Sequence, residues 1–241
     1  MCTLSFLPKN DGYIVAMNRD EQLSRPIALP PTIHTSAGSK AIYPLDVEGG
    51  TWIAVTESGT TWALLNRNST LQGKKRRSRG EIILAGLQSA GQLKAIEELR
   101  ILDEVLPFRL VILSAASRQV REWVWDGQEF ACMPHPWQAH NWFSSGRSDA
   151  EASEIRGRTF VESAADPAAG SLEWLRKLHR SHGPERGAFS ICVHRPDART
   201  VSYTEIQVLH TVASMSYSAG PPCEAGPPTH IEIPRFSVSL S

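Results

Sequence analysis

The chain has 241 residues, enough for one sizeable hydrophobic core, and its 25 Lys and Arg balance its 25 Asp and Glu. With a formal net charge of zero, no global field favours nucleic acid or an anionic membrane. We expect no targeting segment, because the apolar start of the chain is short and lacks a basic region before it. The sequence has no apolar run of transmembrane length, and its four cysteines show no CxxC or disulfide-framework spacing. We therefore expect a reduced, cytoplasmic protein with no transmembrane segment and no nucleic-acid partner.

Cys2 directly follows Met1, which is normally removed when the second residue is small. The mature chain would then begin with a cysteine that carries a thiol of pKa about 8.5 and a free α-amine of pKa about 8. A nucleophile with its own base attached is the chemistry of N-terminal-nucleophile (Ntn) hydrolases. On its own, however, a cysteine at position 2 is better explained by chance.

The residues after Cys2 predict a hairpin. Residues 3–7 and 12–17 are apolar and strand-like, and the connection between them is rich in turn-forming residues. Two short strands joined by a tight turn pair antiparallel, which returns the end of the second strand to the start of the first. The polar run that follows, residues 18–21, would lie beside the amine of Cys2. Such a run is usually a solvated loop, but here Asp20 and its neighbours are candidates to hold the ammonium group.

Further elements follow in chain order. A second hairpin is predicted over 51–55 and 60–65. A helix is predicted over 78–88, where Ser78 and Glu81 would form a capping box, and another over 92–102. Strands are predicted at 108–113, 120–125 and 128–133, helices at 150–162 and 172–179, and strands at 189–194, 200–207 and 209–217. Cys132 and Cys192 fall within these strand-like segments and are expected to be inert packing residues.

This order of elements favours an α+β fold. Strands, helices, strands, helices and strands in succession suit two antiparallel sheets covered by helices. Residues 220–241 are rich in proline, which breaks regular structure, so we expect an irregular C-terminal tail after a single domain over 1–219.

Several short motifs together resemble the NRDE family, which includes transport and Golgi organisation protein 2. They occur in the family's order over roughly the first third of the chain: Met1-Cys2, Asn18-Arg19-Asp20-Glu21, Arg25-Pro26, Gly49-Gly50-Thr51-Trp52, Leu65-Asn66-Arg67 and Ser78-Arg79-Gly80-Glu81. The resemblance implies the Ntn-hydrolase fold, a four-layer αββα sandwich. Within that fold it implies similarity to bile salt hydrolase and penicillin V acylase, which cleave linear amide bonds.

The resemblance also implies catalytic roles. Asp20 matches an aspartate that orients the amine, and Asn66 matches an oxyanion-hole asparagine, a donor worth about 3 kcal/mol. For Asn66, turn chemistry at the end of a strand is an equally good explanation. Asn141, in His140-Asn141-Trp142, resembles a second asparagine of the fold, and Arg186 resembles an arginine near the nucleophile.

Asn18, Arg19 and Trp142 are the candidates for substrate binding. In the similar amidases an arginine precedes the Asn-x-Asp pattern, whereas here Met17 occupies that place and the arginine lies inside the motif. Because strand alternation turns adjacent positions to opposite faces, we expect Arg19 not to reach the thiol and to pair with an acid or bind a substrate carboxylate instead. Trp142 could line a pocket for an apolar or planar group.

No cofactor and no metal site is predicted. The eight histidines are scattered, and the close pair His179 and His182 has no further ligand at a familiar spacing. Three functions remain open: an Ntn-type cysteine hydrolase of a linear, non-peptide C–N amide, a non-enzymatic carrier of haem or a lipid-like metabolite, and a metabolite-binding domain with a degenerate site. The partner is thus a small amide or a hydrophobic metabolite, and the oligomeric state is open.

Overall fold

A computed structural model describes residues 2–68, 77–89 and 101–236. The strands of this part of the chain are β1 (Cys2–Lys9), β2 (Gly12–Gln22), β3 (Leu29–Ser36), β4 (Ser39–Leu45), β5 (Ile53–Thr56), β6 (Thr60–Asn66), β7 (Phe108–Ser114), β8 (Gln119–Trp125), β9 (Phe130–His135), β10 (His140–Ser144), β11 (Ala198–Val208), β12 (Val212–Ala219) and β13 (Thr229–Pro234). The helices are α1 (Glu81–Gln88), α2 (Ile101–Glu104), α3 (Asp149–Ser163) and α4 (Leu172–His179).

The strands form two antiparallel sheets. The first has six strands in the order β10-β1-β2-β11-β12-β13, and the second has seven in the order β3-β4-β5-β6-β7-β8-β9. The predicted hairpin of β1 and β2 is confirmed, with Cys2 opposite Arg19 and Lys9 opposite Gly12. The N-terminal cysteine thus lies on a strand in the interior of the six-stranded sheet, between β2 and β10.

Helices cover the outer faces of both sheets. The two sheets bury a central core against each other, with Phe6, Val15 and Met17 from one and Ile53 and Val111 from the other. A second apolar cluster packs α1 on the seven-stranded sheet, and a third packs α4 on the six-stranded sheet. The predicted α+β sandwich with αββα layers is therefore confirmed. Among the described helices, none combines the length and the apolar character needed to cross a membrane.

The C-terminal segment departs from the prediction. Residues 220–241 are predicted to be irregular, yet β13 pairs along its full length with β12 and extends the six-stranded sheet. Ile233 is buried in the central core between the sheets. The prediction of an irregular tail is therefore wrong for residues 229–234, because alternation in this short segment outweighs the prolines before it and at its end.

Other predicted elements also change. Residues 189–194 form no strand and contribute only an isolated bridge between His194 and Arg199, although Cys192 and its neighbours are buried. Cys132 is exposed on β9 and is not a packing residue. The helix predicted over 78–88 begins at Glu81, and of the helix predicted over 92–102 all but the last two residues lie outside the described part of the chain. The hairpin of β3 and β4 has no counterpart in the prediction.

Candidate functional site

A cavity of about 370 Å³ opens where the N-terminal end of β1 faces the seven-stranded sheet. Its volume is in the range of small-molecule sites. The residues that line it are Cys2, Arg19, Asp20, Glu21, Arg25, Asp46, Glu48, Thr51, Trp52, Leu64, Asn66, Arg77, Ser78, Arg79, Gly80 and Leu106. These residues include members of every motif on which the family resemblance rests. The motifs, which are separated along the chain, therefore converge on one place.

Cys2 lies at the wall of this cavity with only 5% of its surface exposed. Burial raises the pKa of its thiol, while Arg19 and a hydrogen bond from the backbone N–H of Asp20 act in the opposite direction. The thiol is therefore predominantly protonated at neutral pH, and a nucleophilic thiolate requires a base nearby.

Asp20 is fully buried next to this thiol. Its Oδ1 accepts a hydrogen bond of 2.6 Å from the Thr200 hydroxyl, and its Oδ2 lies 3.6 Å from the guanidinium of Arg156. Burial raises the pKa of Asp20, and the charge of Arg156 opposes that effect. Oδ2 accepts no hydrogen bond from any described residue, although buried polar atoms almost always have a partner. The carboxylate therefore has an acceptor free beside the N-terminal end of β1.

Arg156 is a site residue that sequence reasoning missed. Its guanidinium is fully buried and reaches the carbonyl oxygens of Cys2 at 3.3 Å and Ser144 at 3.3 Å, as well as the hydroxyl of Thr3 at 3.0 Å. A signal was present, because Arg156 follows the buried Ala152 by four residues in α3 and so occupies the face that packs on the sheet.

Arg19 corrects the sequence-based argument about the thiol. Directly opposed residues of an antiparallel pair share a face, and Cys2 is opposite Arg19. Arg19 therefore lines the same cavity, where its guanidinium stacks 4.3 Å from the centre of the Trp52 ring and lies 3.5 Å from Glu21. The expectation that it cannot reach the thiol face is wrong, but the predicted pairing with an acid is present.

Asn66 reaches the cavity from the other sheet. It is the last residue of β6, paired with Phe108 on β7. Among the described residues its side chain has no hydrogen-bond partner, so no turn hydrogen bond holds the amide. Turn chemistry at the strand end therefore loses support relative to the alternative, in which the amide serves a ligand.

Two glycines hold the wall formed by residues 77–80. A Cβ atom added to Gly80 would lie 2.9 Å from the Cα of Gly50 and 2.9 Å from the backbone nitrogen of Thr51, closer than packed atoms approach. The two backbones are also joined by a 3.2 Å hydrogen bond from Thr51 N–H to the Gly80 carbonyl. The Gly-Gly-Thr-Trp and Ser-Arg-Gly-Glu motifs thus fit backbone to backbone and bring Arg79 to the cavity.

Arg79 differs from the other arginines of the cavity because it forms no ion pair with a described residue. Arg19, Arg25 and Arg77 each have an acidic partner, whereas no described carboxylate lies within ion-pairing distance of Arg79. Its guanidinium donates to the Pro107 carbonyl at 3.2 Å. Burial lowers its pKa, with Glu21 and Cys2 opposing the shift, but a guanidinium stays charged in proteins. Arg79 is half-buried and has lost part of its hydration, so a ligand that supplies a negative charge would offset that loss.

Four predicted site residues are not at the cavity. Asn18 and Asn141 face the helix layer, where Asn18 donates to the carbonyls of His179 and Ile191 at 2.9 Å each and Asn141 accepts from Ser5 at 2.6 Å. Trp142 is in the core between the sheets and donates to Glu122 at 3.0 Å. Arg186 is more than half exposed and pairs with Glu224. The structure therefore places these four residues outside the cavity, and alternation along β2 and β10 turns the two asparagines away from Cys2.

One cluster bears on the prediction, drawn from the scattered histidines, that the chain holds no metal site. Four potential ligands from distant parts of the sequence lie with their ligand atoms within 4.8 Å of one another: His182, Cys192, His194 and Cys223. Sequence reasoning missed this cluster because its long and unequal spacings match no familiar ligand pattern.

Sequence comparison identifies the family. The family profile described as Transport and Golgi organisation 2 matches residues 1–131, which is more than half of the chain. The chain belongs to this family. The matched region includes every described residue that lines the cavity. No curated protein matches the chain in sequence.

Solved structures of similar fold include Ntn-hydrolases. Penicillin V acylase from Agrobacterium tumefaciens has a TM-score of 0.55 and 10% identity, and the match covers 97% of this chain and 86% of the acylase. A cysteine-to-alanine mutant of conjugated bile acid hydrolase from Clostridium perfringens has a TM-score of 0.55 and 9% identity over 97% and 92% of the two chains. An arginine-to-leucine variant of that hydrolase has a TM-score of 0.52 and 9% identity over 100% and 98%. At such low identity these matches establish the Ntn-hydrolase fold of this family member and nothing about its substrate.

Proposed function

We propose that this family member is an Ntn-type cysteine hydrolase that cleaves a linear, non-peptide C–N amide bond after Met1 has been removed. The observation that carries the proposal is that Cys2, Asp20 and Asn66 line one cavity, although they come from three strands of two sheets. A nucleophile, a carboxylate that can orient its amine and an amide donor are the parts that acyl transfer needs.

The roles follow from the surroundings of each group. With Met1 removed, the α-amine of Cys2 takes the thiol proton, and the ammonium group hydrogen-bonds to the free Oδ2 of Asp20. Sγ attacks the amide carbonyl, and the amide of Asn66 donates to the oxyanion. The ammonium then protonates the leaving amine as the C–N bond breaks. Water attacks the resulting thioester, which releases the carboxylic acid and restores the thiol.

The charge of the cavity limits the substrate class. Arg79 lacks a carboxylate partner among the described residues, so it favours a substrate that carries a carboxylate or another anionic group near the scissile amide. The lining also includes Trp52, Leu64 and Leu106, which suit an apolar acyl chain.

The decisive experiment combines intact mass with labelling and turnover. We expect the purified protein to lack Met1, limiting iodoacetamide to label Cys2 faster than Cys132, and a panel of N-acyl amides to contain a hydrolysed member. The panel should pair each neutral amide with one that carries a carboxylate. Cys2→Ala should abolish turnover, whereas Cys132→Ala, which changes an exposed cysteine on β9, should leave it unchanged.

Two outcomes contradict the proposal. One is retention of Met1, because the terminal amine of Cys2 would then not exist as a base. The other is turnover that survives in Cys2→Ala. A protein that turns over no amide but binds haemin or a lipid-like metabolite equally well with and without the Cys2 thiol would instead favour the alternative of a carrier.

A further inference from the structure

The cluster of two histidines and two cysteines lies outside the cavity, near the C-terminal end of α4. Its members come from three segments: His182 follows α4, Cys192 and His194 precede β11, and Cys223 lies in a turn after β12. We refer to these four residues as the His/Cys cluster.

The distances within the cluster match those around a tetrahedral metal ion. Sγ of Cys192 lies 3.5 Å from Sγ of Cys223 and 3.6 Å from Nε2 of His194, and Nε2 of His194 lies 3.3 Å from Sγ of Cys223. A tetrahedral Zn²⁺ with bonds of about 2.3 Å to sulfur and about 2.0 Å to nitrogen separates its ligand atoms by roughly 3.3 to 3.8 Å.

His182 supplies the fourth ligand. Its Nε2 is buried and makes no hydrogen bond with any described residue, and its ring centre lies 5.0 Å from that of His194. All four ligand atoms already lie within 4.8 Å of one another, so a movement of about 1 Å completes the tetrahedron. Buried polar atoms almost always have a partner, and a bond to a metal ion would supply one for Nε2 of His182.

We propose that the His/Cys cluster binds one Zn²⁺ ion as a structural site. Two thiolates and two imidazoles are the ligand set that favours zinc over the harder cations Mg²⁺ and Ca²⁺. Four protein ligands leave no open position for water or substrate, which separates a structural site from a catalytic one. The two thiolates balance the charge of the ion.

The neighbouring charges permit this binding. Arg186 lies 3.2 Å from Nδ1 and 3.4 Å from Nε2 of His194, and its other partner is Glu224. Because the side chain of Arg186 is 54% exposed, it can stay with Glu224 while His194 places its proton on Nδ1 and its Nε2 on the metal. The residue that sequence reasoning placed near the nucleophile thus borders the zinc site.

The site would hold the segment that supports Asp20. Within residues 180–197, which form no helix or strand, the backbone N–H of Val193 donates to the Thr200 hydroxyl at 2.9 Å, and that hydroxyl donates to Asp20. The same segment supplies the Ile191 carbonyl that binds Asn18. Zinc would fix this irregular segment to the turn after β12 through Cys223 and so keep the carboxylate in position.

The test measures metal directly on the full chain. The protein is stripped with a chelator under reducing conditions, reconstituted with Zn²⁺, desalted and analysed by elemental mass spectrometry. We expect one zinc per chain, X-ray absorption from two sulfur and two nitrogen ligands, and, after substitution with Co²⁺, the visible absorption of a tetrahedral thiolate site. Cys223→Ser should weaken zinc binding more than about 100-fold, because loss of a group that merely supports a ligand already costs 10- to 100-fold.

Cys132→Ser is the matched control, since it removes an exposed cysteine far from the cluster in sequence, and it should bind zinc as the unchanged chain does. Absorption measurements on the unchanged chain need no variant and remain decisive if Cys223→Ser fails to fold. The proposal is overturned by a zinc content near zero after reconstitution, by zinc that survives in Cys223→Ser, or by a Cys192–Cys223 disulfide that persists in reductant. None of these outcomes depends on whether Cys2 is catalytic.

Discussion

At the scale of single residues, Asn66 and Asn141, both proposed from the sequence as catalytic, have different surroundings. Asn66 lines the cavity with an amide that makes no hydrogen bond to the described residues. Asn141 instead accepts from Ser5 on the helix side of the six-stranded sheet. A side chain can donate to an oxyanion only if it lies near the attacked carbonyl, so the two residues should respond differently to truncation.

We expect Asn66→Ala to lower kcat by about 10²- to 10³-fold with little change in the free energy of unfolding, because it removes a donor made for the transition state. Asn141→Ala should leave kcat nearly unchanged and lower the free energy of unfolding by about 1 kcal/mol, since it removes the hydrogen bond that Ser5 donates to Asn141. Steady-state kinetics on an amide identified as a substrate and urea unfolding check both variants. An equal loss of kcat in the two would contradict this assignment.

At the scale of elements, the docking of α4 on the six-stranded sheet depends on a buried polar network. The ring of His179, the last residue of α4, lies 3.1 Å from Oδ1 of Asn18 on β2 and 2.9 Å from the hydroxyl of Ser5 on β1. Asn18 also donates to the carbonyl of His179. The first residue of the Asn-Arg-Asp-Glu motif therefore fastens a helix, while the second and third face the cavity.

This docking should depend on pH. Burial lowers the pKa of His179 to about 3, whereas in the unfolded chain its pKa is near 6.5. Between these values the unfolded chain binds the extra proton, so the folded state loses stability as pH falls, by up to about 1.4 kcal/mol per pH unit. Urea unfolding between pH 7 and pH 5 should show this slope. His179→Gln should reduce it, and an unchanged slope in that variant would refute the assignment.

At the scale of the whole molecule, Arg156 connects the layers near the nucleophile. From α3 it contacts β1 through Cys2, β10 through Ser144, β2 through Asp20 and the segment before β11 through the carbonyl of Ala188. Both Arg156 and Asp20 are fully buried, so each charge depends on the other.

Removing one partner should cost much more than removing both. We expect Arg156→Met, which keeps most of the side-chain volume, to lower the free energy of unfolding by about 3–5 kcal/mol, because it removes the buried guanidinium that pairs with the Asp20 carboxylate. The double variant Arg156→Met with Asp20→Asn should recover part of that loss. A double-mutant cycle from urea unfolding gives the coupling, and strictly additive losses would show that the pair does not interact.

Local pattern in the sequence was sufficient for much of the fold. Alternation and turn residues defined the hairpin of β1 and β2, and the helix predicted over 172–179 matches α4, because such signals are contained within a few neighbouring residues. The same local order placed Asp20 near Cys2. The sequence by itself also showed that the motifs of the family are present, but it did not show that they line one cavity.

Tertiary structure decided what depends on long-range packing. The face of a strand that meets the cavity is set by register and by the partner sheet, so only the structure could place Arg19 with Cys2 and turn Asn18 and Asn141 away. Arg156 and Arg79 reach the site only because the fold brings their segments next to strands that are distant in the sequence. The His/Cys cluster, spread from position 182 to position 223, exists only because three segments meet at one end of a sheet. Such contacts leave no periodic signal in the sequence, and chain folding alone brings their members together.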